Sequence, residues 1–469
     1  MVSKDVVVIG GGPGGYVAAI RAAQLGASVG LVEKDTLGGT CVNRGCIPTK
    51  ALLRGVELLH LVRSAPDYGI NVGEASLDFA RLMARKREVV DRLVSGVGVL
   101  MRSNAIEVFQ GKGRLVSATR IEVESATGQG QEIEAGKVIL APGSSPAPLP
   151  LRGAEGGGVI TSDAALEFAE LPHSLVVIGG GVVGVELAAI FAGLGVAVTV
   201  VEIMPRLIPN EDDEFGLMLE EVLKREGIEV LTGARVEGIE DEGGGGKAVL
   251  VSAGADKKRL VGQWVLVAVG RKANLDGIGL EEVGVKVESG YIAVDGGMHT
   301  SVPGIYAVGD AVGGFLLAHV ASAEGRVAAE NALGQGSAMD YRAVPRCIYT
   351  LPELAAVGLG EEEAKEQGYR VRVSRFPFSA NARATVLGQG EGVVKFVCDA
   401  TSAEVLGVHI IGPGATELIA EAALAMKMEG TAQEIFSTLH PHPTLSEAVM
   451  EAALGAEGAA LHIPPRRGS

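Results

Sequence analysis

The stretch Val6-Val-Val-Ile-Gly-Gly-Gly-Pro-Gly-Gly15 recurs 169 positions later as Leu175-Val-Val-Ile-Gly-Gly-Gly-Val-Val-Gly184. Each copy has an apolar strand-like run, the pattern G-x-G-x-x-G, a helix of small residues and a second apolar run. The second run ends in an acid 23 positions after the first glycine, Glu33 in one copy and Glu202 in the other. A lone glycine triplet often marks only a turn, but two complete units predict two β-α-β motifs.

These glycines are the ones that a dinucleotide-binding turn needs. The first of each triplet permits the tight turn, the second lets the backbone approach a pyrophosphate, and the third brings helix and strand together. The helix N-terminus offers free N–H groups and a positive dipole end to the phosphates, and Glu33 and Glu202 would accept hydrogen bonds from ribose hydroxyls. We therefore expect two bound dinucleotides, side by side. The triplets are Gly10, Gly12 and Gly15, and Gly179, Gly181 and Gly184.

Length and composition bound the class of protein. A chain of 469 residues predicts about three structural units. Hydrophobic residues make up 47% and charged residues 21%, which excludes a mainly disordered protein. With 41 basic and 57 acidic side chains the net charge is −16, which would repel a phosphate backbone. We expect no nucleic acid partner, and any charged partner should be basic.

The cysteines and the first residues indicate the cellular compartment. Four cysteines in so long a chain do not form a secreted disulfide framework. The N-terminus runs directly into Val6 without a basic region, a long apolar core or a cleavage site, so the sequence predicts a cytoplasmic protein. The apolar stretch 175–201 is long enough to cross a membrane, but its six glycines favour strand, turn and helix instead.

The rest of the chain has simpler signals. Apolar residues at near-helical spacing over 78–103 predict a long amphipathic helix. Matching strand-then-turn segments, Val138–Gly143 and Val265–Gly270, should close each dinucleotide unit, and Gly243–Gly246 should be a hairpin tip. Beyond about residue 341, alternating strand patterns are followed by helices, which predicts a third domain of α+β type.

The close cysteine pair indicates redox chemistry. Cys41 and Cys46 lie in Gly38-Gly-Thr-Cys41-Val-Asn-Arg-Gly-Cys46-Ile-Pro-Thr-Lys50. In a regular helix this spacing is about 7.5 Å, just beyond the reach of a disulfide, so bridging needs an irregular backbone, for which Gly45 supplies the freedom. Lys50 lies one turn beyond Cys46, where its charge would stabilise a thiolate. Two buried packing thiols are the alternative reading, and Cys347 and Cys398 are expected to be thiols of that kind.

Taken together, these motifs resemble the class I pyridine nucleotide-disulfide oxidoreductases, over about residues 6–454. Beyond the two fingerprints and the cysteine segment, Thr300–Asp310 resembles the family's second FAD motif, whose aspartate holds the ribityl chain. His440-Pro-His442-Pro-Thr-Leu-Ser-Glu447 resembles its interface signature. The resemblance implies an α/β fold with two Rossmann-like dinucleotide-binding domains and a C-terminal α+β dimerisation domain. It divides the chain into residues 1–148 (FAD-binding, first part), 149–270 (NAD-binding), 271–340 (FAD-binding and central, second part) and 341–469 (interface).

The resemblance also implies site residues and cofactors. The first fingerprint would bind FAD and the second NAD, with no metal. Cys46 would be the flavin-side thiolate and Cys41 the thiol that exchanges with substrate, while Lys50 would lie near the flavin and pair with Glu186. The remaining positions would line the FAD site, namely Gly113, Gly143, Asp310, Ala318 and His319, or the NAD site, namely Val236 and Gly270.

His442 would be the acid-base catalyst and Glu447 its orienting partner. Thr444-Leu-Ser-Glu447 also fits a helix capping box, and both roles can hold. His442 lies between two prolines, which fix its backbone, and His440 is the weaker candidate. In the resemblance, the C-terminal domain forms a homodimer and lends His442 to Cys41 of the other chain.

The members that it most resembles reoxidise protein-bound dihydrolipoyl groups of 2-oxo acid dehydrogenase complexes and pass electrons through FAD to NAD. The implied partners are the lipoyl domains and the basic subunit-binding domain of the acyltransferase core, with no membrane. One alternative is an NADPH-dependent glutathione or mercuric reductase, which Glu202 disfavours because its carboxylate would repel a 2′-phosphate. Another is a non-catalytic flavoprotein scaffold, which the intact Cys, Lys, His and Glu set disfavours.

Overall fold

The computed structural model describes residues 2–73 and 75–464, so the extreme ends of the first and last predicted domains lie outside the described residues. The first part of the chain builds one nucleotide-binding domain. Its elements are β1 (Val2–Ile9), α1 (Pro13–Gln24), β2 (Val29–Glu33), α2 (Gly39–Arg44), α3 (Cys46–Ser64), α4 (Phe79–Ser103), β3 (Glu107–Gln110), β4 (Lys112–Ser117), β5 (Arg120–Glu124) and β6 (Gly130–Leu140).

A seven-stranded sheet forms the centre of this domain. Strands β3, β2, β1 and β6 run parallel, and β5 and β4 continue the sheet antiparallel from the first half of β6. Strand β1 ends in four buried apolar residues, as expected for a strand covered on both faces. The long helix predicted over 78–103 is α4, and the Asp78 side chain caps it by accepting from Arg81 N–H at 2.9 Å.

A two-stranded ribbon carries the chain out to the second lobe and back. Its strands are β7 (Ser144–Pro146) and, after the lobe, β16 (Arg271–Ala273), which pair antiparallel. The lobe between them comprises β8 (Val159–Thr161), α5 (Ser162–Ala165), β9 (Ser174–Ile178), α6 (Val182–Gly193), β10 (Ala197–Val201), α7 (Asp213–Arg225), β11 (Glu229–Leu231), β12 (Arg235–Asp241), β13 (Lys247–Ala253), β14 (Asp256–Gly262) and β15 (Trp264–Val267).

The second lobe repeats the topology of the first. Its parallel sheet has the order β11-β10-β9-β15-β8, so β9 lies between β10 and β15 as β1 lies between β2 and β6. The apolar stretch 175–201 is divided into β9, α6 and β10, as its glycines predict. The hairpin predicted at Gly243–Gly246 joins β12 to β13.

After the ribbon the chain returns to the first domain and then forms a third. The returning elements are α8 (Leu280–Val283), β17 (Val287–Glu288), β18 (Tyr291–Ile292), β19 (Ile305–Ala307), which adds to the first sheet beside β6, and α9 (Ala318–Ala332). The third domain comprises β20 (Arg346–Ile348), β21 (Glu353–Gly358), α10 (Glu361–Glu366), β22 (Val371–Pro377), α11 (Ala382–Leu387), β23 (Val393–Asp399), β24 (Val405–Gly412), α12 (Ala415–Lys427), α13 (Ala432–Ser437) and α14 (Glu447–Ala456).

The third domain is an antiparallel sheet, β20-β21-β24-β23-β22, covered by helices that share one apolar core with it. A buried ion pair ties it to the second lobe, because Lys395 Nζ on β23 lies 2.9 Å from both carboxylate oxygens of Asp212 before α7. The predicted α/β fold with two dinucleotide-binding units and a terminal α+β domain is confirmed. The exact domain limits remain predictions. No helix in the described part of the chain combines the length and apolarity that a membrane span requires.

Candidate functional site

The two glycine turns are near copies in three dimensions. Gly10 has φ +106° and Gly179 has φ +112°, a region that favours glycine, and a Cβ on either would strike the carbonyl of a neighbouring strand end. A Cβ on Gly15 would lie 1.8 Å from the Gly10 oxygen, and one on Gly184 would lie 1.9 Å from the Gly179 oxygen. Each third glycine therefore permits the close approach of helix and strand.

Both strand-end acids brace the turn next to them. Glu33 Oε2 accepts from Gly11 N–H at 2.6 Å and its Oε1 from Asp35 N–H at 2.7 Å. Glu202 repeats this with Gly180 at 2.5 Å and Met204 at 2.7 Å. Both carboxylates are buried but line the cavity, and each oxygen has a second lone pair. A ribose hydroxyl can therefore be accepted without breaking the brace.

The N-termini of α1 and α6, which follow the glycine turns, have the features of a pyrophosphate-binding site. Neither α1 nor α6 has a side-chain cap, so the first backbone N–H groups of both helices have no intrahelical or capping partner. A Cβ on Gly12 would meet only the Gly39 Cα, at 3.8 Å, and one on Gly181 would meet nothing within 4 Å. A side chain at either position would fill the space in front of the helix, which suits a bound phosphate group.

One cavity of about 1860 Å³ joins the two cradles. It is lined by most of the residues predicted from sequence: Gly10, Gly12, Glu33, Cys41, Cys46, Lys50, Gly113, Gly143, Asp310, Ala318, His319, Gly179, Gly181, Glu186, Glu202, Val236 and Gly270. Gly15 and Gly184 lie behind it as packing positions. The cysteine pair lines the same cavity, and Lys50 on the same helix as Cys46 contacts Glu186 on α6 of the second lobe. The cavity can therefore bring two dinucleotides and a dithiol together.

The cysteine segment is irregular where its spacing requires it. Gly45, with φ −139° and ψ −113°, interrupts the helix between Cys41 on α2 and Cys46 at the start of α3. A Cβ on Gly45 would lie 3.0 Å from the Thr40 oxygen, so the break is tightly packed. Both cysteines are free thiols in this structure, and Cys41 is half-buried whereas Cys46 is exposed.

The two thiols differ in acidity. Hydrogen bonding with Cys41 lowers the pKa of Cys46 to about 7, with help from the Lys50 charge. Partial desolvation by neighbouring atoms opposes this shift, although the side chain itself is exposed. The same hydrogen bond, reinforced by burial, raises the pKa of Cys41 well above its ordinary value. These opposite shifts favour the proton on Cys41 and the negative charge on Cys46.

Lys50 connects this pair to the rest of the molecule. Its Nζ donates to Glu186 Oε2 at 2.7 Å and lies 4.3 Å from the ring centroid of Tyr349. Glu186 Oε1 accepts from the Tyr349 backbone N–H at 2.9 Å. Side chains of the first domain and the second lobe thus meet the backbone of the third domain at one buried carboxylate. The sequence predicts the ion pair, but it gave no signal for Tyr349, which comes from a distant strand end.

Asp310 is held by two residues that sequence reasoning missed. Its Oδ2 accepts from Ser144 Oγ, and Ser144 Oγ accepts from Arg271 Nε at 2.6 Å. Arg271 also donates from its Nη2 to the Ser144 carbonyl at 2.8 Å. Both residues line the cavity, and Ser144 is buried. A cation directly after the strand-turn segment ending at Gly270 is the signal that could have found Arg271.

His442 and Glu447 lie away from this cavity. His442 Nδ1 donates to Glu447 Oε1 at 2.8 Å, which leaves Nε2 as a proton acceptor on a side chain that is 71% exposed. Burial raises the pKa of Glu447, but hydrogen bonds from Thr444 N–H and His442 outweigh it and lower the pKa below its ordinary value. The ring of His440, by contrast, is 4% exposed and bonded at both nitrogens, to Thr438 and Glu421.

Only half of the capping box forms. Glu447 Oε2 accepts from Thr444 N–H at 2.8 Å, but Thr444 Oγ1 bonds Pro441 O and Ser446 Oγ, and α14 begins at Glu447 itself. Glu447 thus braces the loop and holds His442 at the same time.

Cys398 is buried, as expected, and burial raises its pKa to about 12. Cys347 is only half-buried and lines the cavity, so the expectation of a buried packing thiol is wrong for this residue. Burial still raises the pKa of Cys347 to about 11, which keeps it protonated near neutral pH. Within residues 2–73 and 75–464, no group of three or more His, Cys, Asp or Glu is placed to hold a metal ion.

Comparison with known proteins agrees with this geometry. Residues 4–325 match the model for the pyridine nucleotide-disulphide oxidoreductases, and residues 344–453 match the dimerisation domain of that family. Two curated relatives, both called dihydrolipoyl dehydrogenase, come from Thermus scotoductus and Bacillus subtilis. The first is 46% identical over 99% of each chain, and the second is 44% identical over 98% of this chain and 99% of its own.

Two solved structures have the same fold. LpdA from Mycobacterium tuberculosis superposes with a TM-score of 0.89 and is 32% identical in sequence. The flavoprotein disulfide reductase RclA from Escherichia coli superposes with a TM-score of 0.86 and is 28% identical. Each comparison covers 97% of this chain and 99% of the other. The resemblance inferred from the motifs is confirmed: the chain belongs to the pyridine nucleotide-disulphide oxidoreductase family.

Proposed function

We propose that this chain is a dihydrolipoyl dehydrogenase, which oxidises dihydrolipoyl groups through the Cys41–Cys46 pair with FAD and NAD as its cofactors. The observation that carries the proposal is that this dithiol lines one cavity together with two dinucleotide cradles. The name shared by curated relatives at 44–46% identity over almost the full chain supports the same activity. FAD, when bound, supplies the two-electron relay between the dithiol and NAD.

The chemistry at sulfur follows from the two thiol environments. In the oxidised protein Cys41 and Cys46 are bridged, and a substrate thiolate attacks Cys41 Sγ. The S–S bond breaks, and its electron pair leaves on Cys46, whose low pKa makes it the better leaving group. The second substrate thiolate then attacks the substrate sulfur of the mixed disulfide, so that oxidised lipoyl is released and Cys41 leaves as a thiolate. The Cys41 thiolate takes a proton from the imidazolium of His442.

His442 is the proposed base for the substrate thiols. Its free Nε2 accepts the proton, and Glu447 stabilises the imidazolium that results. The exposed ring does not line the cavity of its own chain, as described above. The matched dimerisation domain makes the protein a homodimer, and we propose that His442 serves Cys41 of the partner chain.

The finer partners are also proposals. Lipoyl domains would present the substrate, and the basic subunit-binding domain of the acyltransferase core would find a complementary partner in a chain of net charge −16. Glu202 supports NAD over NADP, because a buried carboxylate there repels a 2′-phosphate. We also propose that the protein is located in the cytoplasm.

The activity is tested by NADH formation from NAD and dihydrolipoamide. The purified protein should catalyse it, and NADP should be a poor substitute. Parallel assays of glutathione and mercuric ion reduction with NADPH measure the alternative. A preference for either of these over dihydrolipoamide oxidation would contradict the proposal.

The shared site is tested by mixing subunits. His442→Gln should cost about 10² to 10⁴ in turnover, the scale of a general acid-base group. When a Cys41→Ser chain is co-assembled with a His442→Gln chain, a trans arrangement restores one complete site per heterodimer. Heterodimers no more active than the parent variants would show that His442 acts within its own chain.

A further inference from the structure

The residues that hold Asp310 lie on the ribbon between the lobes. Ser144 begins β7 and Arg271 begins β16, so the contact that reaches Asp310 is built from both crossing strands. Further hydrogen bonds fix the ribbon, from Ala147 N–H to Gly270 O at 2.9 Å and from Asn274 N–H to Gly143 O at 2.9 Å. The two residues therefore sit on a braced part of the backbone.

The direction of each hydrogen bond in this relay is determined by chemistry. A guanidinium can only donate, so Arg271 Nε must use the Ser144 oxygen as acceptor. The single Ser144 proton is then free to point at Asp310 Oδ2. Arg271 Nε also lies 3.8 Å from Oδ2, so its charge attracts the same oxygen that the hydroxyl binds.

This arrangement restrains one side of the carboxylate. Within the described residues, no hydrogen bond reaches Asp310 Oδ1, although the residue lines the cavity. A carboxylate held through Oδ2 cannot rotate freely, so Oδ1 keeps a fixed direction with its acceptor capacity unused. A ligand hydroxyl would find a preorganised acceptor there, which saves the entropy of ordering that side chain on binding.

We propose that Arg271 and Ser144 are positioning residues of the flavin site, which hold the Asp310 carboxylate through Oδ2 so that Oδ1 is set to accept from the ribityl chain of FAD. This inference rests on the proposed role of Asp310 in binding FAD. The relay makes FAD affinity depend on a residue of the crossing ribbon, although Arg271 itself need not touch the flavin.

The test measures FAD affinity in the full chain. Protein stripped of flavin is titrated with FAD, and binding is followed by quenching of flavin fluorescence. Arg271→Met and Ser144→Ala should each weaken binding about 10-fold, the effect of losing one hydrogen bond that serves a charged group. The matched control is Arg120→Met, the same kind of substitution at an exposed residue of β5 in the same domain. Arg120 does not line the cavity, so its variant should bind within about twofold of wild type.

A double-mutant cycle separates positioning from a merely structural role. If Arg271 acts through Asp310, adding Arg271→Met to the Asp310→Ala variant should weaken FAD binding by less than about twofold relative to Asp310→Ala alone. An undiminished loss in that background would overturn the inference, as would wild-type affinity in both single variants. Normal FAD binding by Asp310→Ala would contradict the proposed anchor itself. Weak binding by Asp310→Ala with normal binding by Arg271→Met contradicts the relay alone.

Discussion

The two dinucleotide cradles share their turn geometry and differ in how they are covered. At the first, α9 packs against the start of α1, where a Cβ on Gly325 would lie 2.2 Å from the Gly14 oxygen. At the second, Val182 and Val183 at the start of α6 are 41% and 39% exposed. One motif thus supports two modes of binding, because an enclosed cradle suits a resident cofactor and an open one suits a coenzyme that must leave after each turnover.

The largest effect is expected when the redox pair that connects the two cofactor sites is removed. Cys46→Ser should lower dihydrolipoamide oxidation by at least about 10³-fold, because the redox pair is lost. FAD content and NADH affinity should stay unchanged, since the substitution touches neither glycine turn. Turnover is measured by NADH formation, and cofactor binding by absorbance and fluorescence. A large loss of bound flavin would show that the cradles depend on the dithiol.

Matched substitutions of the third glycines should separate the cradles. Gly15→Ala should weaken FAD retention about 10- to 100-fold, because the added Cβ pushes α1 away from its strand. Gly184→Ala should weaken NADH binding to a similar extent and leave the flavin bound. Both cofactors are measured in each variant by equilibrium titration.

The control for these substitutions is Gly96→Ala in α4, where an added Cβ meets nothing within 4 Å and neither affinity should change. Equal losses of both cofactors in either of the first two variants would contradict the independence of the cradles.

A smaller effect is expected at the acid of the open cradle. Glu202→Gln should raise the KM for NAD about 10-fold with little change in kcat, because the loss of a charged acceptor weakens coenzyme binding in ground and transition states alike. Glu229→Gln, at an exposed acid of the same lobe, is the matched control. A change confined to kcat would place Glu202 in the chemistry instead of in binding.

The smallest expected change concerns the pH response of the reduced dithiol. Cys46 should be alkylated by iodoacetamide at a rate that rises with pH through an inflection near 7, because the thiolate is the reactive form and is lost below that pH. Cys41→Ala removes the hydrogen bond that lowers this pKa, so its inflection should move upward. Peptide mass spectrometry identifies the modified residue. An unmoved inflection would assign the low pKa to Lys50 alone.

The sequence predicted those features of the site that are formed by residues close together in the chain. Both turns, their terminal acids and the break at Gly45 follow from residues that are neighbours in the chain. The Lys50–Glu186 pair was expected from the resemblance and from one charge in an apolar helix. Tyr349, Ser144 and Arg271 were missed because their partners are more than 120 positions away, and no local pattern marks a hydrogen bond between distant segments. The exposure of Cys347 was misjudged for the same reason, since a cavity between domains leaves no periodicity in a single strand.

The pairing of β7 with β16 has a consequence for the history of the chain. The two ends of the segment 147–270 lie one strand spacing apart, about 4.8 Å, because β7 and β16 are paired. For the flavin domain, the whole segment is therefore equivalent to one long loop between two adjacent strands. Loop-closure entropy grows only slowly with length, so an insertion of this size adds little to the free energy that folding of the host domain requires. A coenzyme lobe of this kind can be gained or exchanged by recombination at two adjacent junctions, which leaves the surrounding domain intact.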